Sequence, residues 1–104
     1  MNKATLAQIK ELKADINSVH RFTEGNDQYG IYIIARGELL FFQQNDAAFL
    51  CDISARDALI IPDTIKSWDN GKKITAEEKP ALLETIIRLY KQAYKDDLTI
   101  FSEK

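Results

Sequence analysis

Apolar positions recur along this chain at two spacings, and the switches between them mark out its elements. Over Lys3 to Ala14, Leu6, Ile9 and Leu12 or Lys13 fall at helical intervals between charged residues, and Ile16 could join them. This predicts a short amphipathic helix, with a solvated, frayed terminus as the alternative. From Ser18 the period drops to two. SVHRFTE reads as a first strand, and the turn-rich Gly25 to Gln28 ends it. Tyr29 to Ala35 is a run of β-branched and aromatic residues, followed by Arg36-Gly37 and then by ELLFFQQ. Asn45-Asp46 is a second turn signal before AAFLCDI, and Ser54 to Asp57 turns once more into ALII. Pro62 stops that strand, because it cannot donate to a ladder. Five short strands on tight links predict an antiparallel meander.

Two-residue turns at Arg36-Gly37 and Asn45-Asp46 fix a register. Ile34 then faces Leu39, Tyr32 faces Phe41 and Phe42 faces Phe49. Alternation sorts the side chains onto two faces. Ile31, Ile33, Leu40, Phe42, Phe49, Cys51 and Ile53 make a nearly continuous apolar face. Tyr32, Ile34, Leu39, Phe41 and Leu50 make a second face, interrupted by Gln43 and Asp52. A slip of one residue at Arg36-Gly37 would exchange the faces of the preceding strands.

The cover for the first face is a helix predicted over Thr75–Lys95. Thr75-Ala-Glu-Glu78 has the form of a capping box, and Leu82, Leu83, Ile86, Ile87, Leu89, Tyr90, Ala93 and Tyr94 form a broad apolar stripe. Pro80 lies just past the first turn and predicts a 3₁₀-like opening or a kink there. Leu98 to Phe101 reads as a last strand returning to the sheet edge. Between sheet and helix, the stretch Ile60 to Glu78 is a joint holding the only tryptophan, Trp68. One helix cannot cover both sheet faces, so the second is left to the N-terminal helix, a second copy or a partner.

At 104 residues the chain predicts a single domain, residues 1–104, of the α+β class, with five to six strands, one long C-terminal helix and a short N-terminal one. The formal charge of -2 gives no support for nucleic-acid or anionic-membrane binding. One cysteine cannot make an internal disulfide. The N-terminal stretch has no apolar h-region, and no run approaches the ~18 apolar residues of a membrane span. A cytoplasmic protein is the expectation.

Candidate chemistry is sparse. His20, the only histidine, has no partners at metal-ligand spacing, and Cys51 falls on the most apolar face, where a thiol is inert packing. No glycine-rich loop follows a strand to cradle phosphate. Phe41-Phe42 point to opposite faces, which suits packing better than a stacking platform for RNA. Neither a catalytic residue, a cofactor nor a metal is expected. Asp63, Asp69, Glu77, Glu78 and Glu84 gather around the joint, either as a solvated helix start or as an acidic patch for a basic partner. Trp68 would close one end of the core, contact a partner, or do both.

The order of features in the joint resembles a family of small immunity proteins from bacterial polymorphic-toxin and contact-dependent growth inhibition systems. The resemblance rests on Ile60-Ile61-Pro62, Asp63-Thr64-Ile65, Trp68-Asp69, Ile74-Thr75 and Glu77-Glu78, with the hairpin Ile33 to Phe42 before them. Pro80 and the N-terminal helical segment depart from the family pattern. The resemblance implies an antiparallel sheet with one long helix, no enzymatic activity, and stoichiometric binding to a toxin domain from a neighbouring gene, often a nuclease. Asp63, Trp68, Asp69, Glu77 and Glu78 are the candidate partner-binding residues. The alternative is a homodimeric structural or regulatory module that pairs through the second sheet face.

Overall fold

The computed structural model describes residues 3–101. It is an α+β fold: a six-stranded sheet in the order β1-β2-β3-β4-β5-β6, with one helix on each face. The strands are β1 (His20–Glu24), β2 (Asp27–Ile34), β3 (Leu39–Gln44), β4 (Ala47–Ser54), β5 (Leu59–Ile60) and β6 (Thr99–Ile100). The helices are α1 (Lys3–Ala14) and α2 (Lys79–Tyr94). The first five strands pair antiparallel, as expected, and β6 returns to β5 in parallel. The crossover through α2 is what permits that parallel pairing.

The register is the expected one: Ile34 pairs with Leu39, Tyr32 with Phe41 and Phe42 with Phe49. The link after β2 is longer than a two-residue turn. Ala35–Gly37 make a 3₁₀ turn, and the Glu38 amide donates to the Ala35 carbonyl at 3.1 Å. The four linking residues centre on Arg36-Gly37, so the longer loop leaves the faces unchanged. Gly37 has φ +91°, and a Cβ there would sit 3.0 Å from the Ala55 Cβ. The turn after β1 is shorter than expected: only Gly25 and Asn26 lie outside the pairing, and Glu24 meets Asp27.

The first face carries Ile31, Leu40, Phe42, Phe49, Cys51 and Ile53, buried under Leu82, Leu83, Ile86, Leu89 and Tyr90 of α2. Each large side chain so covered contributes ~1.5–3 kcal/mol. α2 begins later than Thr75, and the reason is Pro80. Without an N–H, Pro80 cannot donate to the preceding turn. The capping box forms one turn ahead of the regular helix: the Glu78 amide donates to Thr75 Oγ1 at 3.2 Å and the Thr75 amide to Glu78 Oε1 at 3.1 Å. The Thr75 carbonyl accepts from both the Glu78 and the Lys79 amides at 3.2 Å, so the opening turn mixes the expected 3₁₀-like i+3 bond with an α-type i+4 bond. At the far end Lys95 takes φ 59° and terminates the helix.

α1 covers the second face, so neither a second copy nor a partner is needed there. Ile9 and Leu12 bury against Phe41, Ala48 and Val19, with Tyr32, Ile34 and Leu50 half-buried at the margin. Ile16 does not join the stripe: the helix ends at Ala14 and Ile16 is 86% exposed. Arg21 of β1 holds the helix end. Its Nη2 donates to the carbonyls of Leu12, Lys13 and Asp15 at 3.0, 3.1 and 3.0 Å, and its Nη1 to Gln43 Oε1 at 2.6 Å. The guanidinium crosses β2 over Gly30, where a Cβ would lie 2.6 Å from Nη1. Any other residue at position 30 would push this clamp aside.

Candidate functional site

The joint folds into a small hairpin. Ser67 bridges Lys73, the Ile74 amide donates to the Lys66 carbonyl at 2.9 Å, and Asn70-Gly71 form the tip. Buried Ile65 and Ile74 anchor its base in the main core. The hairpin docks where the sheet has room. β5 pairs with β4 only at Ile53 and Ser54, which leaves the Ala48 end of that edge open. Asp69 fills it: the Asp69 amide donates to the Ala48 carbonyl at 2.8 Å, and Asp69 Oδ1 accepts from the Ala48 amide at 3.0 Å. Asp69 Oδ2 then accepts from Lys13 Nζ at 2.8 Å, joining the hairpin to α1.

This docking sets Trp68 over the end of the core. Its ring centroid lies 5.1 Å from Phe49 and 6.4 Å from Phe42, and Tyr29 continues the series 6.1 Å from Phe42. Trp68 is half-buried. Its other side borders an open cleft of about 560 Å³, walled by Tyr29 and Trp68 on the sheet side and by Glu78, Ala81, Leu82 and Thr85 along α2. Gln44, Asn45, Asn70 and Lys72 complete the rim. Such a mixture of rigid aromatic area and adaptable amides is the composition of protein-binding surfaces.

Of the five expected contact residues, the fold brings Trp68 and Glu78 to this cleft. Asp69 is turned inward to Ala48 and Lys13. Glu77 is exposed on the turn before α2 and does not line the cleft; Asp63 is exposed on a 3₁₀ turn, Pro62–Thr64, next to β4. Tyr29, Asn45, Asn70 and Ala81 were not singled out by sequence. The strand register did contain one of them, since the pairing of Ile34 with Leu39 also sets Tyr29 against Gln44.

The reactive side chains sit elsewhere. His20 is exposed on β1 and packs edge-on against Tyr94, 4.9 Å between centroids. Beyond that last rung of β1, the Ile33 amide donates to the Tyr94 hydroxyl at 2.9 Å. Cys51 is buried in the α2 core, and burial, with a smaller push from Asp52, raises its thiol to about 12. Among the described residues no group of three or more His, Cys, Asp or Glu could hold a metal ion, and no helix is long and apolar enough to cross a membrane.

The folded pKa of Cys51 lies above the ordinary value near 9, so its contribution to stability is complete below about pH 9 and is lost as pH rises towards 12. Native protein is expected to resist iodoacetamide at pH 8, while denatured protein reacts at an ordinary thiol rate. Cys51→Ala removes the thiol's part of the alkaline loss of stability. Rapid labelling under native conditions would contradict the burial.

Neither a protein-family model, nor a curated protein, nor a solved structure matches this chain.

Proposed function

We propose that this protein is a non-catalytic immunity protein of the polymorphic-toxin type, which neutralises a cognate bacterial toxin domain by binding it. The observation that carries the reading is the Trp68–Tyr29 cleft, an aromatic surface with an amide rim at the joint on which the family resemblance rests. A few aromatic and Arg anchors that become fully desolvated in the complex supply most of the energy of protein interfaces, and Trp68 and Tyr29 are side chains of that kind. The acidic balance of the chain suits a basic partner such as a nuclease cleft. Its place of action would be the cytoplasm, where such a nuclease meets nucleic acid. The homodimeric alternative through the second sheet face loses its motive, because α1 occupies that face.

Co-expression with the neighbouring open reading frame tests the function. The neighbour is expected to arrest growth alone, to be tolerated with this protein, and to co-purify with it one to one. A harmless neighbour that does not co-purify removes the toxin reading. Ala81→Arg tests the site, because Ala81 is exposed on α2 and a long side chain there fills the cleft without entering the core. Affinity should fall about a hundredfold, the size of a disrupted hot spot, with thermal stability unchanged. Unaltered affinity would move the interface away from Trp68.

A further inference from the structure

The tip of the joint hairpin holds a reactive pair. Of the five asparagines in the chain, Asn70 alone precedes a glycine; Asn2, Asn17, Asn26 and Asn45 precede Lys, Ser or Asp. Asn70 and Gly71 are both exposed, and a Cβ on Gly71, at φ +88°, would meet nothing within 4 Å. The Lys72 amide donates to Asn70 Oδ1 at 2.9 Å. The ring closed by this Asx turn contains both Asn70 Cγ and the Gly71 nitrogen, which keeps electrophile and nucleophile close together. The same amide polarises the side-chain carbonyl, donating to the oxygen on which charge grows when Cγ is attacked. One bond opposes reaction: the Gly71 amide donates to the Trp68 carbonyl at 3.0 Å and so keeps its proton. That bond sits at the exposed end of the hairpin, where local opening costs least. Asn45 is held differently. Its Oδ1 accepts from the Gln28 amide and its Nδ2 donates to Asp27 Oδ1, which ties its side chain to β2.

We propose that Asn70 is a site of spontaneous deamidation, in which a neutral amide on the rim of the Trp68 cleft is exchanged for a carboxylate. When the tip opens, the Gly71 nitrogen gives up its proton and attacks Asn70 Cγ. Glycine permits the approach because it has no Cβ to crowd its nitrogen. The new N–Cγ bond closes a succinimide ring, the Cγ–Nδ2 bond breaks, and Nδ2 leaves as ammonia with the proton released from Gly71. Water then opens the ring at either of its carbonyl carbons. Attack at Cγ leaves aspartate, and attack at the backbone carbonyl carbon of residue 70 leaves isoaspartate. Isoaspartate lengthens the backbone of the tip by a carbon. Two bonds close that tip, the Trp68 amide to the Lys72 carbonyl at 2.9 Å and the Gly71 amide to the Trp68 carbonyl, and both span the lengthened residue. The change therefore reaches Trp68, whose backbone both bonds hold. The reaction belongs to the free chain; only its effect on a partner rests on the toxin reading.

Incubation of the full chain at pH 8, followed by tryptic mapping, tests it. Trypsin releases Ser67–Lys72 as one peptide in which Asn70 is the only amide side chain. Mass spectrometry of that peptide reads the conversion, and enzymatic methylation reports the isoaspartate share. The expected result is conversion at Asn70 about tenfold faster than at Asn17, which is also exposed but precedes Ser18. Gly71→Ala should slow the reaction about tenfold by setting a Cβ beside the attacking nitrogen. Alanine at φ +88° also strains the tip, so the two chains are compared again in urea, where the advantage of glycine should persist. The parent chain should itself react faster in urea, because the Trp68 carbonyl no longer holds the Gly71 proton. A native chain that keeps Asn70 intact while the urea-unfolded chain converts overturns the proposal. So does conversion at Asn17 that keeps pace with Asn70, or a Gly71→Ala chain as fast as the parent in urea. Loss of the toxin reading would leave these rates standing, so either can fail without the other.

Discussion

Phe49→Ala is expected to destabilise the fold by about 3–5 kcal/mol, the cost of removing a fully buried aromatic ring and leaving its cavity. Phe49 is 1% exposed and lies between Phe42, 5.5 Å away, and Trp68, 5.1 Å away. Few nearby side chains could refill the space, because the ring belongs to a packed series that ends at the joint hairpin. A domain of this size commands only about 5–15 kcal/mol in total, so the variant should melt some tens of degrees lower. The fluorescence of Trp68 should shift to the red, since the ring it rests on is gone. Urea denaturation followed at Trp68 measures both effects. A loss below about 1 kcal/mol would mean that the sheet and hairpin collapse freely onto the gap.

Asp69→Ala is expected to cost about 2–3 kcal/mol, the range for losing a charge-assisted hydrogen bond and leaving its donor unpaired. Most of that belongs to the Ala48 amide, which Asp69 Oδ1 accepts at a part-buried position. The Lys13 pair contributes less, because Lys13 is 29% exposed and solvent screens it. Asp69→Asn keeps the amide acceptor and should cost under about 1 kcal/mol. Hydrogen exchange at Ala48 separates the two variants directly: it should quicken in the alanine variant and stay slow in the asparagine one. An alanine variant that keeps its stability but loses binding to the proposed partner would return Asp69 to the list of contacts.

The sheet was legible because its information is local. A two-residue period and a turn centred on Arg36-Gly37 suffice to place Ile34 opposite Leu39, and every other side chain of the central strands follows. Thr75 and Glu78 were legible for the same reason, since a capping box is complete within four residues. The displaced start of α2 follows from Pro80, whose missing N–H delays the regular helix by a turn. What escaped the sequence depends on distant gaps. Asp69 reads as a surface carboxylate until one knows that β5 is only two residues long and leaves Ala48 unpaired on the side away from β3. Arg21 reads as an edge-strand charge until α1 ends beside it. The cleft combines Tyr29 from β2, Asn70 from the hairpin tip and Ala81 from α2, three places that no spacing rule connects.

The order of the sheet, in which every strand lies beside its neighbour in sequence, also sets the order in which the molecule assembles. The links from β1 to β5 are short turns, so those strands can close hairpin by hairpin on the microsecond scale. β6 has no such route. Its partner β5 lies on the far side of the joint and the whole of α2, so that pairing must wait until the joint has docked and the helix has found the sheet. The edge strand β6 is thus the last to be laid down, and the growing sheet remains open on that side until the rest of the chain is in place.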